Sequence, residues 1–280
     1  MLIDGKALAQ RVREETAREA AALPRKAGLA VVLVGDDPAS RIYVSGKERD
    51  CEQCGFISRE YKFDDTVTQG TLLELISALN HDADIDGILV QLPLPEHIDE
   101  DAIIEAISPE KDVDAFHPVN VGRLSAGKPV LLPCTPAGIM EMLPAYEIPV
   151  EGRVCTVVGR SNIVGKPMAM MLLRANGTVI SCHSRTPKLA EFTRQADILV
   201  VAAGHKGLIT GEMIKPGAAV IDVAMNRDPD TGKFTGDVVF DEAVRRAAYI
   251  TPVPGGVGPM TRAMLMRNIL AAAKQHIYGK

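Results

Sequence analysis

Val154-Cys155-Thr156-Val157-Val158-Gly159-Arg160-Ser161-Asn162-Ile163-Val164-Gly165-Lys166-Pro167 is the stretch that decides how this chain folds. Its first five residues are apolar or β-branched, the pattern of a strand covered on both faces. Gly159 breaks the run, Gly165 closes the turn, and Pro167 falls at a first helical position, where its missing N–H costs nothing. A strand that turns through glycine into a helix is the unit of a parallel α/β sheet. The helix N-terminus presents free N–H groups and a positive dipole end to a phosphate. The spacing departs from G-x-G-x-x-G, because Ser161 replaces the middle glycine and one extra residue precedes Gly165. Two readings stay open: a dinucleotide turn with a looser pyrophosphate seat, or an ordinary β–α connection. A nucleophile elbow is excluded, since Ile163 stands where G-x-S-x-G requires glycine.

The same alternation runs on both sides of this unit. Before it, the periodicity predicts helices over about 5–23, 38–54, 69–80, 96–107 and 135–146, with strands over 29–34, 56–63 and 87–91. After it come strands near 178–182, 198–202 and 218–223, and a last helix over about 261–277. Residues 111–136 carry Pro118, Gly122, Gly127, Pro129, Pro133 and Pro136 without periodicity and read as a boundary. The fold class is therefore α/β, with two α/β domains built on parallel sheets and the final helix packing back on the first domain.

Composition narrows the function. The 280 residues are 46% apolar and 24% charged, with 31 basic against 36 acidic side chains and a net charge of −5. That balance excludes disordered, collagen-like and coiled-coil chains, and it offers no general attraction to nucleic acid or anionic membrane. No apolar run approaches the roughly 18 residues of a bilayer span, and residues 1–6 lack the apolar core of a secretory signal. A cytoplasmic protein with neither nucleic acid nor membrane as partner is expected. Cys51, Cys54, Cys134, Cys155 and Cys182 are odd in number and scattered, which reads as reduced thiols. Cys51 and Cys54 form a C-x-x-C that could be redox-active or half of a zinc site. No second pair or histidine cluster completes a metal site, and a spacing of one helical turn favours ordinary packing. No metal is expected.

Cofactor choice is read some twenty residues beyond Gly159, where an NAD site places an acid on the ribose. The strand here ends Ser181-Cys182-His183-Ser184-Arg185, with no acid before Glu191. Arg160, Ser184 and Arg185 offer cations and a hydroxyl instead, which suits a 2′-phosphate or, on the alternative, a solvated basic loop. In the first domain Tyr43 and Lys47 are four apart on one helix face, with Ser40 near its end. Gln91 closes a strand, and Asp112 and Asp114 follow the next helix. Ligands in open α/β sheets collect beyond the carboxyl ends of strands, so these groups could converge. Composition does not say what such a cluster does.

A resemblance does. Val34-Gly35-Asp36-Asp37-Pro38-Ala39-Ser40 with Tyr43 and Lys47, Gln91-Leu92-Pro93-Leu94-Pro95, Lys111-Asp112-Val113-Asp114 and Pro133-Cys134-Thr135-Pro136 resemble the bifunctional methylenetetrahydrofolate dehydrogenase/cyclohydrolase family. So do Val158-Gly159-Arg160-Ser161, His183-Ser184-Arg185-Thr186 and Pro252-Val253-Pro254-Gly255-Gly256-Val257-Gly258-Pro259-Met260-Thr261, in family order over nearly the whole chain. Three positions depart from the family pattern. Ala115 stands for a usual glycine, Ala224-Met225 for a common Gly-Ile, and Arg262 for a β-branched apolar residue.

The resemblance implies oxidation of 5,10-methylenetetrahydrofolate with NADP, then hydrolysis of the methenyl product to 10-formyltetrahydrofolate. It implies a folate-binding catalytic domain over 1–134, completed by 261–280, an NADP-binding Rossmann-like domain over 135–260, a cleft between them, and a homodimer. Lys47 matches the general acid/base, with Gln91 orienting its amine and Tyr43 stacking on the folate. Asp114 matches the pterin anchor, and Pro254, Gly255 and Gly256 the substrate loop. Gly159, Arg160, Ser161, Ser184, Arg185 and Met225 match the cofactor side. The competing readings are another two-domain NADP dehydrogenase of the amino-acid or shikimate kind, a nucleotide-sensing module without catalysis, and a family member that keeps only the dehydrogenase.

Overall fold

Seven consecutive buried residues, Gly28–Val34, form β1 at the centre of a three-stranded parallel sheet. Its neighbours are β2 (Ile57–Phe63) and β3 (Gly87–Val90), in the order β2-β1-β3. The computed structural model describes residues 1–35, 38–227 and 232–279, with 38–45 described by their backbone alone. Helices α1 (Gly5–Ala20), α2 (Pro38–Cys54), α3 (Gln69–His81), α4 (Glu100–Ala106) and α5 (Pro118–Ser125) belong to this half of the sequence. Ala30, Val32 and Val34 of β1 pack with Leu72, Ile76 and Leu79 of α3 and Ile103 of α4 in one apolar cluster. Beside β3, the Ile88 N–H donates to the Lys111 carbonyl at 2.7 Å, so residues 111–113 run along the sheet and deliver Asp114 to its edge.

The second half carries α6 (Cys134–Ala145), β4 (Val154–Val158), α7 (Gly165–Arg174), β5 (Thr178–Cys182), α8 (Leu189–Thr193), β6 (Ile198–Val201) and β7 (Ala219–Asp222). Two short strands, β8 (Asn226–Arg227) and β9 (Phe234–Thr235), then pair antiparallel. They are followed by α9 (Phe240–Ala243), β10 (Tyr249–Ile250) and α10 (Val257–Tyr278). The main sheet is parallel throughout, in the order β10-β7-β6-β4-β5. The chain leaves β4 toward one edge and returns through β6 toward the other. That reversal opens the crevice at which α/β sheets bind ligands.

The chain divides into two compact units, Met1–Ala9 with Thr135–Thr261, and Gln10–Cys134 with the residues from Arg262 on. The first nine residues thus group by contact with Thr135–Thr261. Leu2 bridges Ile250, the Ile3 N–H donates to the Ile250 carbonyl at 2.9 Å, and the Ile250 N–H donates to the Met1 carbonyl at 3.0 Å. A pairing three residues long leaves no periodicity to read. The helix expected over 96–107 starts at Glu100, because the Asp99 carboxylate caps the N–H groups of Asp101 and Ala102. The 111–136 boundary contains α5, capped by the His117 ring with Pro118 at its first position. Helix α10 begins four residues before Thr261, since Pro259 needs no hydrogen bond in a first turn. All five cysteines are free and buried. Among the described residues no helix is long and apolar enough to cross a membrane, and no His/Cys/Asp/Glu cluster could hold a metal.

Candidate active site

Gly159 has φ +137°, and a Cβ there would collide with the Ala202 carbonyl. A Cβ on Gly165 would collide with the Gly159 carbonyl. Both positions need glycine because the turn after β4 is pressed between the start of α7 and the segment after β6. That is the close packing a dinucleotide turn requires, and an ordinary β–α connection does not. The Ser161 hydroxyl, at the place of the missing middle glycine, accepts from the N–H groups of Val164 at 3.2 Å and Gly165 at 3.3 Å. It thereby occupies donors at the start of α7 that a phosphate would otherwise meet.

The expected selectivity residues lie along the same sheet edge. Val158 of β4 pairs with Cys182 of β5, and the Gly159 N–H donates to the Cys182 carbonyl at 2.9 Å. Arg160, Ser161, Ser184 and Arg185 therefore leave the carboxyl ends of adjacent strands, and all four are exposed. His183 shapes their turn, a role sequence reading missed. Its Nδ1 accepts the Arg185 N–H at 3.1 Å, while its own N–H donates to the Thr186 hydroxyl at 2.9 Å. Met225 follows β7 and is 39% exposed.

In the other unit Lys47 is buried in α2, and its Nζ donates to Gln91 Oε1 at 2.9 Å. Gln91 Nε2 donates to the Leu92 carbonyl at 2.7 Å, which fixes the amide so that its oxygen faces the amine. Burial pulls the Lys47 pKa below its ordinary value, with the nearby Arg262 guanidinium acting the same way. The charges of Asp114, Cys134 and Cys51 oppose them. Asp114 is half-buried, and burial raises its pKa against the pull of Lys47 and a bond from the Cys134 thiol. A lysine made less basic by burial, beside a carboxyl and a fixed amide, is the kind of group that serves in proton transfer. Tyr43 belongs to α2, four residues before Lys47, and its side chain lies outside the described residues.

Three further residues contribute that the sequence reading did not assign to the site. Cys134 touches Asp114, as above. Asn268 of α10 donates to the carbonyls of Val113 and Leu132 and so holds both segments that carry the site. Arg262 lies against the α2 backbone, where a Cβ on Gly46 would strike its guanidinium, and pairs with the buried Asp50 at 3.3 Å. Ala115, the residue after Asp114, takes φ +59°, the left-handed conformation that explains a usual glycine there. Pro254, Gly255 and Gly256 sit in the unit of β4–β10, in a turn closed by the Gly256 N–H on the Pro252 carbonyl at 2.9 Å. The Val253–Pro254 and Leu92–Pro93 peptides are cis.

The motifs that carry these contacts extend over known proteins as well. Residues 3–114 match the catalytic-domain model of tetrahydrofolate dehydrogenase/cyclohydrolase, and residues 133–277 match its NAD(P)-binding-domain model. The chain is 55% identical over 276 residues to the "Bifunctional protein FolD" of Acetivibrio thermocellus, covering 98% of this chain and 96% of that one. The crystal structure of the bifunctional FolD dehydrogenase/cyclohydrolase from Campylobacter jejuni superposes with a TM-score of 0.96. It is 51% identical, over 98% of this chain and 99% of that one. The Trypanosoma brucei enzyme, solved with NADP cofactor and inhibitor, gives a TM-score of 0.95 at 41% identity, over 99% of this chain and 98% of that one. A two-domain dehydrogenase of another kind would not match both models from end to end. The chain belongs to the tetrahydrofolate dehydrogenase/cyclohydrolase family.

Proposed function

We propose that this chain oxidises 5,10-methylenetetrahydrofolate with NADP and hydrolyses the methenyl product to 10-formyltetrahydrofolate. The observation that carries the hydrolytic half of the reading is the buried Lys47–Gln91 pair, 2.9 Å apart, in a chain of this family. Bound NADP supplies the hydride acceptor. The residues present fit it. The glycine-only turn at Gly159 and Gly165 has the close packing of a dinucleotide turn, and Arg160, Ser161, Ser184 and Arg185 stand exposed on the same sheet edge with Met225. The two arginines favour a 2′-phosphate over the bare ribose of NAD. Residues 135–260 form the NADP domain. Residues 1–134, completed by 261–280, form the folate domain, where Asp114 accepts from the pterin N–H groups and Tyr43 stacks on its rings. Pro254, Gly255 and Gly256 contribute to the folate side.

Hydrolysis is where the chain's own chemistry enters. As the water oxygen bonds to the methenyl carbon, Lys47 Nζ takes a proton from it. The tetrahedral adduct then opens as its bond from that carbon to N5 breaks, with Lys47 returning a proton to N5. One proton goes to solvent overall. An ordinary lysine, near pKa 10.4, is too cationic for the first step, and burial shifts Lys47 in the direction that step needs. Gln91 holds the amine without adding charge. The intact Lys47 favours this bifunctional reading over a dehydrogenase alone. The test is NADPH formation on adding 5,10-methylenetetrahydrofolate and NADP, beside decay of added methenyltetrahydrofolate; no NADPH would contradict the reading, and uncatalysed methenyl decay would contradict its second half.

The reading includes a cytoplasmic homodimer. Buried reduced thiols suit that compartment. β5 lies at a sheet edge, where a second copy could add. Light scattering should give twice the 30.0 kDa of one chain.

A further inference from the structure

Two carboxylates that the mechanism does not use are buried side by side at the carboxyl ends of β6 and β7. Val201 of β6 pairs with Asp222 of β7, and the segments that follow, 202–204 and 223–226, leave the sheet together. Asp237 is fully buried. Its Oδ2 accepts the N–H groups of Ala203 at 2.7 Å and Gly204 at 2.9 Å, and its Oδ1 accepts from Asn226 Nδ2 at 2.9 Å. Asp222 in turn fixes Asp237. It accepts the Asp237 N–H at 3.1 Å, the Val238 N–H at 2.9 Å and the Ala224 N–H at 3.3 Å, with Gly236 lacking the Cβ that would block it.

The held segment bears directly on the glycine turn. The Ala202 carbonyl, one residue before the N–H groups that Asp237 clamps, is the group that a Cβ on Gly159 would strike. A line of contact therefore runs from Asp237 through 202–204 to Gly159, and through Asn226 to its chain neighbour Met225. Both ends are groups assigned to the nucleotide. A buried carboxylate serving two adjacent N–H groups is an expensive arrangement to leave half made, because its loss strands those donors away from water. The 202–204 turn would then move to find partners, and Gly159 with it.

We propose that Asp237 is a positioning residue for the nucleotide, fixing the 202–204 turn and Asn226 so that the crevice beside Gly159 binds NADP. This rests on the reading of the chain as an NADP-dependent dehydrogenase that also hydrolyses the methenyl product. Because hydrolysis needs no nucleotide, it reports on the folded folate site independently.

The experiment uses the full chain with Asp237→Ala and Asp237→Asn. NADP affinity is measured by calorimetry without folate, NADP KM and kcat by NADPH formation, and methenyl hydrolysis without NADP. Asp237→Ala should raise the NADP Kd and KM about tenfold or more, as expected for lost charge-assisted bonds. Its kcat at saturating NADP and its hydrolysis rate should stay within about threefold. Asp237→Asn keeps the shape and one acceptor, and should weaken NADP by about threefold. If the alanine variant fails to fold, the asparagine variant decides alone. An unchanged NADP Kd overturns the proposal, as does parallel loss of hydrolysis and NADP affinity. Wild-type protein that binds NADP yet makes no NADPH would overturn the functional reading while the Kd comparison still stands.

Discussion

Asn268 donates its side-chain amide to the Val113 carbonyl at 2.7 Å, one residue from Asp114. The same nitrogen donates to the Leu132 carbonyl at 2.7 Å, two residues from Cys134. Asn268→Leu keeps the branched shape but removes both donations, leaving the Leu132 carbonyl short of its partner and the Val113 carbonyl with only the weak Cys134 thiol donor, at about 1–3 kcal/mol. The unfolding temperature should fall, and the KM for methylenetetrahydrofolate should rise while that for NADP stays put. Unchanged stability and folate KM would show that Asp114 holds its place without α10.

Ala115 supplies a gain-of-stability test. Its φ of +59° puts a Cβ in the left-handed region, which costs an alanine about 1 kcal/mol relative to glycine. Ala115→Gly relieves that strain but frees the unfolded chain, so the net gain should be smaller than the strain itself. A rise of about 1–3 °C in unfolding temperature with unchanged folate KM is expected. A fall would mean that the buried methyl contributes more packing than the backbone loses.

Asp86 predicts the acid limb of stability. Its carboxylate is fully buried, which by itself would raise its pKa. Bonds from Arg25 at 2.7 Å on each oxygen, from His276 and from the Gly28 N–H bring it down to about 2. A folded pKa below the unfolded one adds stability that is present above about pH 4 and lost as pH falls toward 2. The difference amounts to about 2 kcal/mol, of which roughly half should be gone by pH 3. The gap in unfolding temperature between wild type and Asp86→Asn should therefore narrow from pH 5 to pH 3. A gap that ignores pH would contradict the assignment.

Arg160 and Arg185 test cofactor choice. Replacing both with uncharged residues should weaken NADP by about tenfold or more per lost contact, with NAD changed far less. The measurement is the ratio of the two KM values in the double variant. An unaltered ratio would return the arginines to the solvated surface.

Much of this was legible beforehand, for identifiable reasons. β1, β4 and α2 fall where apolar runs and helical spacing put them, because buried parallel strands are continuous apolar or β-branched segments. Lys47 and Gln91 could be named from their places at a helix face and a strand end. Their 2.9 Å contact could not, since it depends on how Leu92 turns the amide. Asp237 and Asn268 act by bonding backbone groups far away in sequence, and no periodicity records that. The pairing of residues 1–3 with β10 escaped for the same reason. Ala115 was visible only as a departure from a family pattern, and its left-handed backbone supplies the physical reason.

The central claim is that Lys47 is the proton-transfer group of hydrolysis, with a smaller part in hydride transfer. Lys47→Met keeps the apolar stem and removes the amine, and circular dichroism must show the variant folded. Methenyltetrahydrofolate decay, corrected for spontaneous hydrolysis, should fall by about 10²–10⁴, the range for loss of a general acid/base. NADPH formation by the same variant should fall much less. Hydrolysis retained at the wild-type rate, or both rates lost equally, would contradict the claim.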